Sequence, residues 1–339
     1  MIKIKRENLG EFFGVIDQKM PLFLPVRKAG ELNYGRYGEG DFDLDALKTV
    51  KSAKDFFFPQ SETMMKFRRE GKTIDIIDVR EEKAPFVIFG VRGCDFKAFS
   101  ILDNVFLQEP VDTFYKARRD AAIICTLACG KPEESCFCSV FGVDPADPKG
   151  DVTCYIDEKH LYLRANTEKG EKLLSLYNSA EASDEKEVEG QQKLTREIVK
   201  KLPFTNLDLS RFKEENLKEL FALDDWNKLS EACLGCGTCT FVCPTCQCFD
   251  IRECKTHQGV IRYRCWDSCM YSDFTQMAAA NPRTTQMQRF RQRFMHKLVY
   301  YPAQYGGTFS CVGCGRCVNK CPQHLNIVKV IKKIGGKND

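Results

Sequence analysis

No stretch of this 339-residue chain approaches the apolar length needed to cross a bilayer. The opening residues, MIKIKRENLGEFFG, contain no apolar signal-peptide core. The net charge of +4 is too small to identify a partner. No G-x-G-x-x-G follows a strand pattern, and Gly35-Arg-Tyr-Gly-Glu-Gly40 has its glycines in the wrong order. A G-x4-G-K-[ST] phosphate loop is missing as well, and no nucleophile–base constellation stands out. These absences remove a membrane anchor, a nucleotide or flavin site and a self-evident catalytic centre from the expectations.

What is abundant is cysteine. There are 19, an odd number in a long chain without a secretory signal. A disulfide framework fits that poorly, and reduced thiolates serving as metal ligands fit it better. Two runs near the C-terminus match each other. The first is Cys233-Leu-Gly-Cys236-Gly-Thr-Cys239-Thr-Phe-Val-Cys243-Pro244. The second is Cys311-Val-Gly-Cys314-Gly-Arg-Cys317-Val-Asn-Lys-Cys321-Pro322. Both read C-x2-C-x2-C-x3-C-P, the bacterial ferredoxin signature for a 4Fe-4S cluster. The x2 spacing wraps one loop around three corners of a cube. The glycines let the backbone approach, and the proline ends the loop. Zinc sites supply their cysteines as separated pairs, which is a different pattern.

In two-cluster ferredoxins the fourth cysteine of each run serves the other cluster. That predicts one cluster on Cys233, Cys236, Cys239 and Cys321, and a second on Cys311, Cys314, Cys317 and Cys243. Oxygen-labile clusters place the protein in a reducing cytoplasm, that of an anaerobe.

The expected fold class is α+β. An N-terminal mixed α/β domain spans 1–177, with buried strands at Pro85–Val91 and Ala121–Cys125. A helix is expected over Phe96–Phe106, and a hairpin over 153–163. A polar linker or loop follows over 178–192, then a helical connector over 193–231. A helical, ferredoxin-like two-cluster domain covers 232–334, interrupted by a long insert at 244–310.

Two further cysteine groups stand outside the twin runs. Cys94 and Cys129 each lie just beyond a predicted buried strand, where a parallel sheet would bring them to one edge. With Cys136 and Cys138 they form a candidate third cluster site, against the alternative of ordinary buried thiols. Cys125 and Cys154, inside strands, read as core. In the insert, Cys246, Cys248 and Cys269 form a fourth candidate, for a cluster or zinc, with Cys254, Cys265 or His257 completing it.

At these residues the chain resembles the 4Fe-4S dicluster electron-transfer proteins of anaerobic sulfite reductase and of cytoplasmic NiFe sulfhydrogenases, where they are the beta subunits. The carrying stretches are Val91-Arg-Gly-Cys-Asp-Phe-Lys-Ala-Phe-Ser-Ile-Leu-Asp103, Cys136-Phe-Cys138, Cys243-Pro-Thr-Cys-Gln-Cys-Phe-Asp250, Arg264-Cys-Trp-Asp-Ser-Cys269 and Cys311-Val-Gly-Cys-Gly-Arg-Cys317. The resemblance implies a relay between a flavoprotein subunit handling NAD(P)H and a terminal sulfite reductase, NiFe hydrogenase or heterodisulfide reductase-like module. It supports Cys94, Cys129, Cys136 and Cys138 as a set. Cys125, Cys254 and Cys265 depart from it.

From residue 281 onward there are eleven Lys/Arg and one acid, Asp339. Arg283, Arg289, Arg291, Arg293, His296 and Lys297 admit three readings: a solvated helix face, docking or charge balance for clusters, and nucleic-acid binding. Two rivals to the relay remain open. One is a self-contained reductase with substrate at an open cluster corner. The other is a redox sensor or nucleic-acid-binding protein.

Overall fold

The computed structural model describes residues 1–257 and 259–335. Its strands are β1 (Ile2–Lys5), β2 (Leu22–Lys28), β3 (Glu31–Arg36), β4 (Asp41–Phe42), β5 (Ser61–Glu70), β6 (Thr73–Asp78), β7 (Phe86–Val91), β8 (Ala122–Leu127), β9 (Val152–Ile156), β10 (His160–Ala165), β11 (Glu181–Ala182), β12 (Phe249–Thr256) and β13 (Gly259–Trp266). Nine form a mixed sheet ordered β11-β1-β10-β9-β8-β7-β2-β3, with β4 paired to β2. Its centre, β2, β7, β8 and β9, is parallel.

The apolar runs expected as buried strands are β7 and β8, and their alternation explains why they are apolar throughout. Val87 and Phe89 of β7, with Ile123, Cys125 and Leu127 of β8, face one core. Ile88, Val91, Ala122 and Ile124 face the other. Helix Leu9–Lys19 covers the first face with Phe12, Phe13 and Ile16. Helix Gly93–Phe106 covers the second with Phe99, Leu102 and Phe106. Each buried phenylalanine contributes about 1.5–3 kcal/mol. A sheet covered on both sides needs apolar residues on both.

Two expectations are corrected. Residues 178–192 are not a plain linker: β11 pairs with β1, and helix Lys186–Lys200 begins there. That helix buries Val188, Thr195 and Val199, so its polar residues mark its outer side rather than a lack of structure. The insert is also not purely helical. Its hairpin β12–β13 joins β5–β6 in a second sheet, ordered β12-β13-β5-β6. Buried Arg264 on β13 bonds Glu62 of β5, with Nε–Oε2 at 2.9 Å.

The C-terminal region packs helices Asp225–Ser230, Gln286–Met295 and Ile327–Ile334 around Trp226, Phe290, Phe294 and Ile331. It also shares a core with the N-terminal region, where Ala98 and Ile101 meet Tyr301, Val312 and Cys314. Among the described residues, no helix is long and apolar enough to cross a membrane.

Candidate metal centres

Cys233, Cys236, Cys239 and Cys321 line one cavity, together with Met270, Phe290, Phe294 and Leu325. The last cysteine of the second run therefore stands with the first three of the first run. Cys236 is the one exposed thiol among the fifteen candidate ligands. The Thr238 hydroxyl lies 3.4 Å from its sulfur and, with the Thr238 backbone, pulls its pKa down.

Cys311, Cys314, Cys317 and Cys243 form the complementary group, each sulfur interacting with the other three. Burial pushes the Cys311 thiol up to about 12. Their loop turns through Gly313 (φ 59°) and Gly315 (φ 76°), in the left-handed region. A Cβ on Gly313 would sit 2.4 Å from the Phe137 carbonyl oxygen, and one on Gly315 2.5 Å from that of Ser135. Only glycine lets this loop lie against residues 135–138, where Phe137 N–H donates to the Gly313 carbonyl at 2.9 Å.

That contact brings the N-terminal cysteines alongside. β7 and β8 are parallel neighbours, so Cys94 and Cys129 leave the sheet at the same edge. A bulge between Phe89 and Val91 turns the chain into the Gly93–Phe106 helix. The Val-Arg-Gly-Cys-Asp sequence now has a physical reading. Arg92 is buried and donates to four carbonyls, those of Leu44, Ala46, Leu127 and Ala128. Asp95 grips Arg316 with two bonds of 2.5 and 2.7 Å. Between them Cys94 faces the site, and burial pushes its thiol well up. Cys138 interacts with Cys129, Cys136 and Cys314, and Cys94 with Cys138 and Cys314. Cys125 and Cys154 stay in the strand core, against one another.

In the insert, Cys248 and Cys269 are hydrogen-bond neighbours, and Cys269 also interacts with Cys246. Their shared proton pulls Cys248 down. None of the proposed fourth ligands joins them. Cys254 is exposed on β12, where its thiol donates to the Lys255 carbonyl at 3.6 Å. His257 is exposed beyond it. Cys265 is surrounded by Arg252, Asp250 and Asp267. These three were chosen by residue type, and the hairpin carries them away from the group.

The basic stretch resolves by helical spacing. Arg289, Arg293 and Lys297, four residues apart, are buried, while Arg291 lies over Phe221, 3.5 Å from the ring centre. Arg293 donates to the Cys239 carbonyl at 2.7 Å and to the Cys246 sulfur at 3.3 Å. Burial opposes its charge, but Cys239, Cys246, Cys243 and Cys317 outweigh that and raise its pKa. Lys297, raised in the same way against burial, faces Cys243 and Cys246. Phe290 and Phe294 are core residues rather than bases' stacking partners. Sequence reasoning missed Lys48, Lys54 and Asp95. Lys48 reaches Ser135 Oγ and the Cys314 carbonyl, each at 3.2 Å. Nothing local distinguishes these residues from surface charges.

Buried cations without carboxylates need anions from elsewhere. Arg293, whose Nε has no partner, and Lys297 have only thiols, carbonyls and one hydroxyl. The thiol groups are also too open for one ion. Among the described residues, no three Cys, His, Asp or Glu side chains converge on a single-metal position. Zinc–thiolate bonds of about 2.3 Å would draw the sulfurs together. Grouped thiols, close-approach glycines and uncompensated cations fit a larger anionic cluster.

Fold and site together define an iron–sulfur protein of the electron-transfer class. The profile of the 4Fe-4S dicluster domain family matches residues 232–325. Over 337 residues the chain is 30% identical to the sulfhydrogenase 2 subunit beta of Pyrococcus furiosus, with 98% of each chain covered. No solved structure matches. The chain belongs to the family of that sulfhydrogenase beta subunit; its two clusters are carried in a 4Fe-4S dicluster domain.

Proposed function

We propose that this chain is the electron-relay subunit of a cytoplasmic oxidoreductase complex. It connects a flavoprotein that handles NAD(P)H to a terminal module, which the relative's name favours as a hydrogenase. One cluster is held by Cys233, Cys236, Cys239 and Cys321, and a second by Cys311, Cys314, Cys317 and Cys243. A third is held by Cys94, Cys129, Cys136 and Cys138. When bound, such clusters supply reversible one-electron transfer.

The observation that carries this reading is contiguity. Cys239 of the first group interacts with Cys243 of the second, and Cys314 of the second with Cys138 and Cys94 of the third. The residues thus make one path from the surface at Cys236 into the N-terminal domain. Around it, Phe290, Phe294 and Leu298 exclude water. Arg293, Lys297 and Arg316 place positive charge against thiolates. Leu234, 65% exposed beside Cys236, offers an apolar contact where a partner can approach the path.

Reduction under strict anaerobiosis tests the role. NADH is expected to bleach the cluster absorbance only when the flavoprotein partner is added. Turnover of sulfite or a disulfide by this chain alone, with an artificial donor, would sink the relay. The third group is tested by Cys94→Ser. Iron should fall by about four per chain, the content of one cluster, with the far-UV spectrum unchanged. Unchanged iron would show that these thiols are only core.

A further inference from the structure

We propose that Cys246, Cys248 and Cys269 hold an iron–sulfur cluster of their own, ligated by three thiolates with its remaining corner free of cysteine. The inference rests on the iron–sulfur reading above and adds a site outside the two of the dicluster domain.

The first support is how the fold builds the site. Cys248 immediately precedes β12, and Cys269 follows β13 by three residues. The register pairs Phe249 with Trp266, so the hairpin returns the chain to its starting point. Asp267 N–H then donates to the Cys248 carbonyl at 3.0 Å and closes the neck. Ser268 is buried, and its hydroxyl accepts from Thr240 at 2.9 Å and from the Met270 N–H at 3.2 Å, fixing the turn that presents Cys269. The excursion from Phe249 to Trp266 thus ends with three cysteines side by side.

The second support is independent of the sulfurs. Three cations are buried around this group: Lys54 at 2% exposure, Arg293 at 3% and Lys297 at 4%. Their hydrogen bonds go to neutral groups and to one thiol. Lys54 donates to the Cys246 carbonyl at 2.9 Å and lies 3.7 Å from the centre of the Trp266 ring. Arg293 reaches the Cys246 sulfur. Lys297 donates to Thr245 Oγ1 at 2.7 Å and to the Ser310 carbonyl at 2.8 Å. Among the described residues none of the three is in an ion pair; Asp55, the carboxylate nearest in effect to Lys54, lies beyond ion-pair reach.

A buried cation without an anion is costly, and three together are more so. The clusters of the twin runs meet part of that demand through Arg293 and Lys297. Lys54 interacts only with Cys246 and Cys243 among the thiols and comes from a different domain. It belongs to the insert side. A neutral thiol trio would leave it unbalanced, whereas a cluster with three thiolates supplies the negative charge. The corner free of cysteine follows from the placement of Cys254, His257 and Cys265 on the hairpin, away from the group.

The test is iron and acid-labile sulfide per chain, with electron paramagnetic resonance, on the anaerobically reconstituted full chain. Wild type should carry about 15–16 irons, counting about four per complete cluster and three or four here. Cys248→Ser and Cys269→Ser should each lose about three to four irons, the content of this one cluster, and the same resonance signal. Cys254→Ser and Cys265→Ser should lose none. About 12 irons in wild type, the content of three clusters, or stoichiometric zinc, would overturn the proposal. So would Cys248→Ser keeping its full complement. If the serine variants do not fold, Lys54→Met decides, because it keeps every thiol. It should shift one midpoint to more negative potential in a redox titration, and unchanged midpoints would refute the charge argument. Cys236→Ser separates the two levels: if it too loses no iron, the iron–sulfur reading itself has failed.

Discussion

Asp95→Ala is expected to destabilise the folded chain by about 3–5 kcal/mol, the usual cost of leaving one member of a buried ion pair uncompensated. Asp95 and Arg316 are 1% and 3% exposed, and the two bonds between them are bidentate. Arg316 has one other partner, the Thr49 carbonyl at 3.1 Å. Water cannot replace the lost carboxylate, so the guanidinium charge is stranded. The pair also joins two regions far apart in sequence, the helix after β7 and the Cys311–Cys317 loop. Its loss should therefore loosen the second thiol group along with the domain contact. Denaturant midpoints of the reconstituted protein measure the first effect, and iron retention the second. Asp95→Leu combined with Arg316→Met should recover much of the stability, because a buried ion pair is often replaceable by apolar residues of similar size. A single variant that loses less than about 1 kcal/mol, a value ordinary for an exposed pair, would contradict this account.

Cys321→Ser should remove the same cluster as Cys236→Ser, and Cys243→Ser the same cluster as Cys314→Ser. Each loss is about four irons. The prediction follows from the cavity shared by Cys321 with Cys233, Cys236 and Cys239, and from the mutual interactions of Cys243 with Cys311, Cys314 and Cys317. If each run instead supplied all four ligands of one cluster, Cys321→Ser would pair with Cys314→Ser. Resonance spectra of the four variants separate the two patterns even where iron counts agree. The Cys236 group should also be the first lost to oxygen, since Cys236 is exposed while Cys314 is buried.

Much of this was legible in the chain. The twin runs need no tertiary information, because three of each cluster's ligands fall within one loop. The β7 and β8 runs were readable because strands buried on both faces are apolar throughout. Less was legible wherever a polar surface hid an ordered element. Helix Lys186–Lys200 shows mostly charge because only Val188, Thr195 and Val199 are buried. The β12–β13 hairpin has an exposed outer strand, so its residues carried little of the alternation that announces a sheet.

By itself the sequence determined the metal chemistry, the crossed pairing to be tested and the absence of a nucleotide-binding motif. Those properties reside in short segments whose spacing is set by local geometry. Only the tertiary structure decided which of the remaining cysteines stand together. Cys94 meets Cys138 because two parallel strands end at one edge. Cys269 meets Cys248 because a hairpin register returns it, and the same register removes Cys254 and His257. Charge balance was decided at the same level. Lys54, Asp95 and Arg316 look like surface residues in the chain, and the folded chain buries all three beside the thiols.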